Sequence, residues 1–461
     1  MARAAKKQNK LTPEEKLAQA LVPEAEWPYQ VPENWCWVKL GALAIEIADG
    51  PFGSNLKKDH YTNNREARII QLSNIGEDGW KEENTKYTTF THAKEISRSI
   101  VEPGSIVIAK MMPAGRAIIC PNNEAMYVLS SDAVKFVPAK PLNTKFLALA
   151  INAPSFRNQI QENTRGITRA RTSIGKLREG NLALPPLAEQ QRIVDCIESL
   201  FAKLDEAKEK AQAVVDSFED RKAAILHKAF SGEITEEWRE KNNTALKSWI
   251  TESIKESCTI GSGGTPSRKN ADYYHGDIPW VKTGEIDWND LYDTEEHISQ
   301  AAIDNSSAKV FPEESILVAM YGMGITRGRA AILKVQAATN QAVCVLQPKK
   351  HLLNRYLYYY FMCNYKDIRA QAVGGNQLNL SGTIISKLVI NIPTIPEQLE
   401  IIRVLDILLK KEREAKEVAE EIIVQIDSIK KSILVRAFRG ELGTNDPDDE
   451  SAVELLKNII L

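Results

Sequence analysis

The chain has 461 residues, 43% of them hydrophobic and 26% charged, and a formal net charge of −2. That length allows two or three cored domains, and the near-balanced charge excludes a uniformly basic nucleic-acid binder, so any such surface must be local. No apolar run approaches the roughly 20 residues of a membrane span, and the opening MARAAKKQNK has no signal-peptide core. The six cysteines (Cys36, Cys120, Cys196, Cys258, Cys344, Cys363) show no ligand spacing. The expectation is a reduced, metal-free cytoplasmic chain.

Residues 1–30 read as a helical arm, with Thr12 and Glu15 at capping-box spacing. Residues 31–183 have a β-like texture of short apolar runs and Gly or Asn turns. Within them DGPFGSNLKKDHY sets Ser54, Lys57 and Lys58 beside glycines that let backbone approach a ligand. QLSN follows an apolar strand; Gln71 and Asn74 suit adenine edges, and equally suit capping of the strand end. SIVIAKMMPAGRAIIC is a strand, a glycine loop and a strand, carrying Lys110 and Arg116. TRGITRARTSIGKLR holds Arg165, Arg169 and Arg171 without one acid, a loop suited to phosphates, although a solvated basic face has the same composition.

Residues 184–232 change character. Ile193, Ile197, Leu200, Leu204, Ala207, Ala211, Val214 and Phe218 alternate steps of four and three, a heptad seam interrupted at Arg221. After a linker at 233–250, residues 251–391 repeat the β-like texture. GSGGTPSRKNADYY brings Thr265, Ser267, Arg268 and Lys269; VKTGEI brings Lys282, suited to guanine. SILVAMYGMGITRGRAAIL brings Tyr321, Arg327 and Arg329, and GNQLN brings Asn376 and Gln377 where the first half has arginines. Residues 392–440 form a second seam through Ile401, Leu405, Leu408, Ala415, Ala419, Ile422, Ile426, Ile429 and Ile433, broken at Glu412. Residues 441–461 are an acidic linker and a short amphipathic helix.

The two seams are copies. From Pro185 to Ile234 against Pro393 to Leu442, 18 of 50 positions are identical without a gap, including an EQ near the start and AF.GE at the end. Shared coiled-coil composition does not place such motifs in register, so the chain records an internal duplication. The termini are therefore expected to lie together and to mimic the 235–250 linker.

Catalytic signatures are missing from the sequence. Gly175-Lys176 is followed by Leu177 rather than Ser or Thr, GSGGTP is not GxGxxG, Leu184–Leu187 lacks the polar and aromatic residues of an amino-methyltransferase motif, and the six histidines form no ligand pair. A coiled-coil scaffold that binds no DNA would share the seams but needs no basic loops.

PPLAEQ or PEQ opening a long helix, AF.GE closing it, T.EWR after it, and G.GGTPS..N..Y...G.IPWV..GEI in the second globule resemble the specificity subunit of type I restriction-modification enzymes. The resemblance covers essentially the whole chain, though DGPFGS lacks the GTPS phrase of the second globule. It implies an α+β protein with two target recognition domains, each followed by a long helix, the helices packed as an antiparallel coiled coil with pseudo-two-fold symmetry. It implies double-stranded DNA as ligand, read as a bipartite asymmetric site, with two methyltransferase (modification) subunits and two restriction/translocase subunits as partners. Those partners would carry S-adenosylmethionine, ATP and Mg; this chain would hold no cofactor and perform no catalysis.

Overall fold

Short β-branched runs such as ARII, IVIA and ILVA are buried on both faces and form strands, while the heptad segments form helices. The computed structural model describes residues 11–111, 113–162, 171–322, 325–373 and 379–460. It divides into two compact units that do not follow chain order: Met1–Lys210 with Ile422–Leu461, and Ala211–Glu421.

The first unit holds a four-stranded antiparallel sheet in the order Ala44–Asp49, Ala133–Pro138, Ile106–Ala109, Ala117–Ile119. A five-stranded sheet has Ala67–Ile70 at its centre, parallel to Met126–Leu129. The second unit repeats the plan with Cys258–Ser262, Val343–Pro348, Ile316–Ala319 and Ala330–Leu333, and with Ile278–Val281 parallel to Ala337–Thr339. In each unit a two-stranded ribbon, Cys36–Lys39 with Asn181–Leu184 or Ile250–Ser253 with Val389–Ile392, closes the globule just before its long helix.

The single first-copy helix expected over 184–232 is two: Leu187–Asp216 and Phe218–Phe230. Ser217 returns its hydroxyl to Ala213 O, and Arg221 reaches back to Val214 O at 3.1 Å, which competes with the helical ladder at that point. The second copy runs unbroken from Ile395 to Ala437. In each unit the helical segments run antiparallel. In the first, Asp205 meets Lys430 at 2.5 Å and Lys208 meets Asp427 at 2.8 Å; in the second, the two seam breaks meet each other, Arg221 Nε lying 2.6 Å from Glu412 Oε2.

The expected seam is corrected in detail. Ala207, Ala415, Ile422 and Ile429 are exposed, and Lys430 takes a buried place, its stem against the core and its ammonium over the Phe201 ring at 5.1 Å. A straight helix drifts against a strict 3.5-residue repeat, so along its length the inward face passes from the heptad positions to their neighbours.

The EQ motif acts at the base of both helices. Gln190 Oε1 accepts from Asn143 N at 3.1 Å and Gln398 Oε1 accepts from Leu353 N at 2.8 Å, so a fully buried glutamine clamps each globule to its helix. The preceding glutamate, also fully buried, anchors the segment that leaves the end of the opposite helix. Thr235, Arg239 and Trp249 donate to Glu397 in the second unit; Thr444 and Arg192 donate to Glu189 in the first.

The described terminal segments lie together within the first unit, as the repeat predicts. Helices Pro13–Ala20 and Ala452–Ile460 pack on each other, Ala452 N donates to Asn34 O at 2.9 Å, and Trp35 Nε1 donates to Asn445 Oδ1 at 3.0 Å. The capping box at Thr12 and Glu15 is formed. Gly232 and Gly440 both take the left-handed conformation that ends each helix, at φ 85° and 74°.

Candidate nucleic-acid interface

Three loops far apart in sequence converge at one edge of the four-stranded sheet. The Ala44–Asp49 strand runs into the 50–55 loop, the Ile106–Ala109 strand into the loop carrying Arg116, and Arg171 and Thr172 lie against the start of the second of these. Lys110 Nζ sits 2.5 Å from Asp49 Oδ1, Thr172 N donates to Lys110 O at 2.9 Å, and Arg171 pairs with Asp132. A cleft of about 600 Å³ opens between them, lined by Lys110, Arg171, Arg98, Ser97 and Asn55 among others.

Glycine makes this convergence possible at one defined point. A Cβ on Gly50 would stand 1.8 Å from Ser130 O, and one on Gly263 would stand 1.8 Å from Thr339 O. Both lie where the first strand of one sheet ends and its chain passes against the backbone at the end of a strand of the other sheet, Met126–Leu129 in the first unit and Ala337–Thr339 in the second.

The second unit builds the matching cluster from different side chains. Leu380 N donates to Met320 O at 3.0 Å, the counterpart of Thr172 on Lys110, and Thr265 Oγ1 is hydrogen-bonded to Gln341. Arg268 lies over Tyr274 at 4.0 Å and Trp280 at 5.3 Å, with its guanidinium 2.7 Å from Glu296. Lys282 Nζ is 3.0 Å from Glu296 and 3.1 Å from Glu295. Hydrogen bonds from Arg268 and then Lys282 hold the Glu296 carboxyl below its ordinary range. Arg329 pairs with Asp287.

Most of these cations thus come with a local acid, which explains how the chain carries basic loops at a net charge of −2. DNA phosphates must compete with those carboxylates, so loose electrostatic binding is held down.

Ser54, Lys57, Lys58, Ser267 and Lys269 are exposed on the same two loops, Tyr321 is 38% exposed, and Gln71, Arg116 and Arg327 are half-buried. Arg116 Nε donates to Pro113 O at 3.2 Å. Asn74 is the correction: it is fully buried, its amide donating to Lys81 O and Glu83 O and its Oδ1 accepting from Gln71 N at 2.9 Å. It caps the strand end and has no surface for a base. Glu285 does the same for Lys282 N at 2.7 Å. Arg165, Arg169, Asn376 and Gln377 lie outside the described residues. Sequence reasoning missed Arg98 and Ser97, which reach the cleft from a turn with no basic run to mark it.

Among the described residues no group of His, Cys, Asp or Glu could hold a metal ion, and no helix is long and apolar enough to cross a membrane. Two globules of one plan, each carrying cations on its loops and each clamped to antiparallel helical segments, fit a modular reader of double-stranded DNA. The model of the type I restriction modification DNA specificity domain matches twice, over residues 32–215 and 247–422. The chain belongs to that family and is a DNA sequence-specificity subunit with two target recognition domains. It is 23% identical to the EcoKI specificity subunit of Escherichia coli K12 over 93% of this chain and 96% of that protein. It is 30% identical to the MjaIX specificity subunit of Methanocaldococcus jannaschii over 39% of this chain and 43% of that one. Among solved structures, the HsdS subunit of Thermoanaerobacter tengcongensis superposes with a TM-score of 0.62 at 18% identity, over 91% of this chain and all of the other. A chain of a type I R-M system described for its assembly and conformational transition gives 0.68 at 19%, over 90% and 100%.

Proposed function

We propose that this chain directs a modification complex to a bipartite, asymmetric DNA site, each recognition domain reading one half, and that it contributes no catalytic group of its own. The observation that carries this is the duplication of one loop plan that carries its cations at different positions: Lys110 and Arg171 in one unit, Arg268 and Lys282 in the other. Lysine and arginine contacts to phosphate fix register, and polar side chains at the same edge read bases.

Two modification subunits dock on the helices, since the chain offers the same helical surface twice. Apolar side chains left uncovered on the second long helix support a docked partner there: Leu399, Ile407 and Val418 in one unit, Val424 and Ile429 in the other, with polar residues at the equivalent positions of the first copy. Those subunits carry S-adenosylmethionine, and two restriction subunits with ATP and Mg complete a cleaving assembly in the cytoplasm.

Mapping methylated adenines in DNA from cells that express the chain with its modification subunit tests the reading. Two short, unlike half-sites at a fixed gap are expected. A continuous site, or methylation unchanged when this chain is deleted, overturns it. Saturating the chain with modification subunit should give two copies per chain by light scattering.

A further inference from the structure

Phe52 stands 83% exposed at the rim of the first unit's cleft. A bare phenyl ring in water is unfavourable, and a solitary one on a flexible loop would fold back onto apolar neighbours. This one is held out. Gly50 fixes the base of the loop, its N–H donating to Ala133 O at 3.0 Å. Pro51 is buried behind it, and Asn55 N donates to Phe52 O at 2.7 Å, closing a turn that starts at the phenylalanine. The Asn55 carbonyl in turn accepts from His92 Nε2 at 2.9 Å. A braced turn therefore presents an apolar ring beside Lys110, Arg98 and Arg171.

Resting on the reading of this cleft as a DNA interface, we propose that Phe52 is a wedge that stacks against bases of the first half-site and opens one base step. Aromatic rings stack on bases whatever their identity, and an inserted apolar side chain unstacks and kinks the duplex, most cheaply at pyrimidine–purine steps. The neighbouring cations supply phosphate contacts on either side. Phe52 then adds a preference for deformable sequence without a hydrogen bond to any base. The matching loop of the second unit has Thr265 and Pro266 and no aromatic, so only one half of the target is opened.

The test uses the chain assembled with its modification subunits and duplexes of the mapped target carrying 2-aminopurine at successive positions. The parent complex should raise 2-aminopurine fluorescence at one step in the first half-site and at none assigned to Phe52 in the second. Phe52→Ala should abolish that rise and weaken binding about ten-fold, and Phe52→Trp should restore both. Equal fluorescence profiles and affinities for parent and Phe52→Ala overturn the wedge while leaving the recognition reading intact. Loss of subunit assembly in Phe52→Ala without DNA overturns it in favour of a protein contact. A parent complex that binds no duplex overturns the recognition reading itself, and the wedge with it.

Discussion

The hydroxyl of Thr444 lies 2.6 Å from Glu189 Oε1, 255 residues away in the chain, and the carboxylate it meets is fully buried at the first turn of the central helix. Burial raises the affinity of Glu189 for a proton, against the opposing hydrogen bonds from Thr444 and Arg192. A carboxyl raised in this way stabilises the fold when protonated. Its contribution is present below the unfolded value and is lost as pH rises through the folded one. Compared with Glu189→Gln, which does not titrate, the parent should therefore gain in unfolding temperature as pH falls from about 7.5 to about 5. A difference that shrinks over that range would show that Arg192 outweighs burial. Thr444→Val should cost on the order of 1 kcal/mol at neutral pH, read from the same thermal curves.

The salt bridge in the seam yields a double-mutant test. Arg221 and Glu412 are both partly covered, so removing one leaves a charge against apolar surface. Glu412→Ala should destabilise by about 1 kcal/mol, whereas Arg221→Leu with Glu412→Leu should restore or exceed parent stability. Chemical denaturation decides; a double variant weaker than the parent would make the pair a net stabiliser.

Close backbone approach at two glycines should be visible in stability. Gly50→Ala and Gly263→Ala each force a Cβ to within 1.8 Å of a carbonyl oxygen, with no flexible side chain to yield. Each should cost about 1–3 kcal/mol. Gly53→Ala, whose Cβ meets nothing within 4 Å, should be neutral. Three similar melting curves would contradict the crossing geometry.

Contacts to phosphate and to bases separate by salt. Lys110→Ala and Arg171→Ala should weaken DNA binding evenly across sequences and each lower the slope of log affinity against log salt by about one. Lys282→Ala should act on the second half-site alone, relaxing discrimination there. Titrations on targets altered in one half at a time measure both, and an unchanged slope would remove Lys110 and Arg171 from the interface.

The organisation of the chain was legible because duplication writes the same phrase twice in register: EQ and AF.GE located both helices and predicted that the termini substitute for the linker. The convergence of loops was not legible. Nothing in sequence spacing links Asp49 to Lys110 or Asp132 to Arg171, because those pairs depend on strand order across the sheet. Asn74 misled for a general reason, since an amide that suits adenine also suits an unpaired backbone group, and burial decides between them. The seam misled by drift: a short heptad pattern does not reveal which of two adjacent positions faces inward farther along.

The glutamine clamp bears on how such chains diversify. Gln190 and Gln398 each receive one backbone N–H from the globule, at Asn143 and Leu353, and they ask nothing of its side chains. Every residue provides a backbone N–H except proline. The hydrogen bond at the EQ motif is therefore indifferent to the sequence of an exchanged recognition domain, and what such a domain must reproduce is the packing beside it, Phe146 on Phe438 in one unit and Tyr356 on Phe230 in the other.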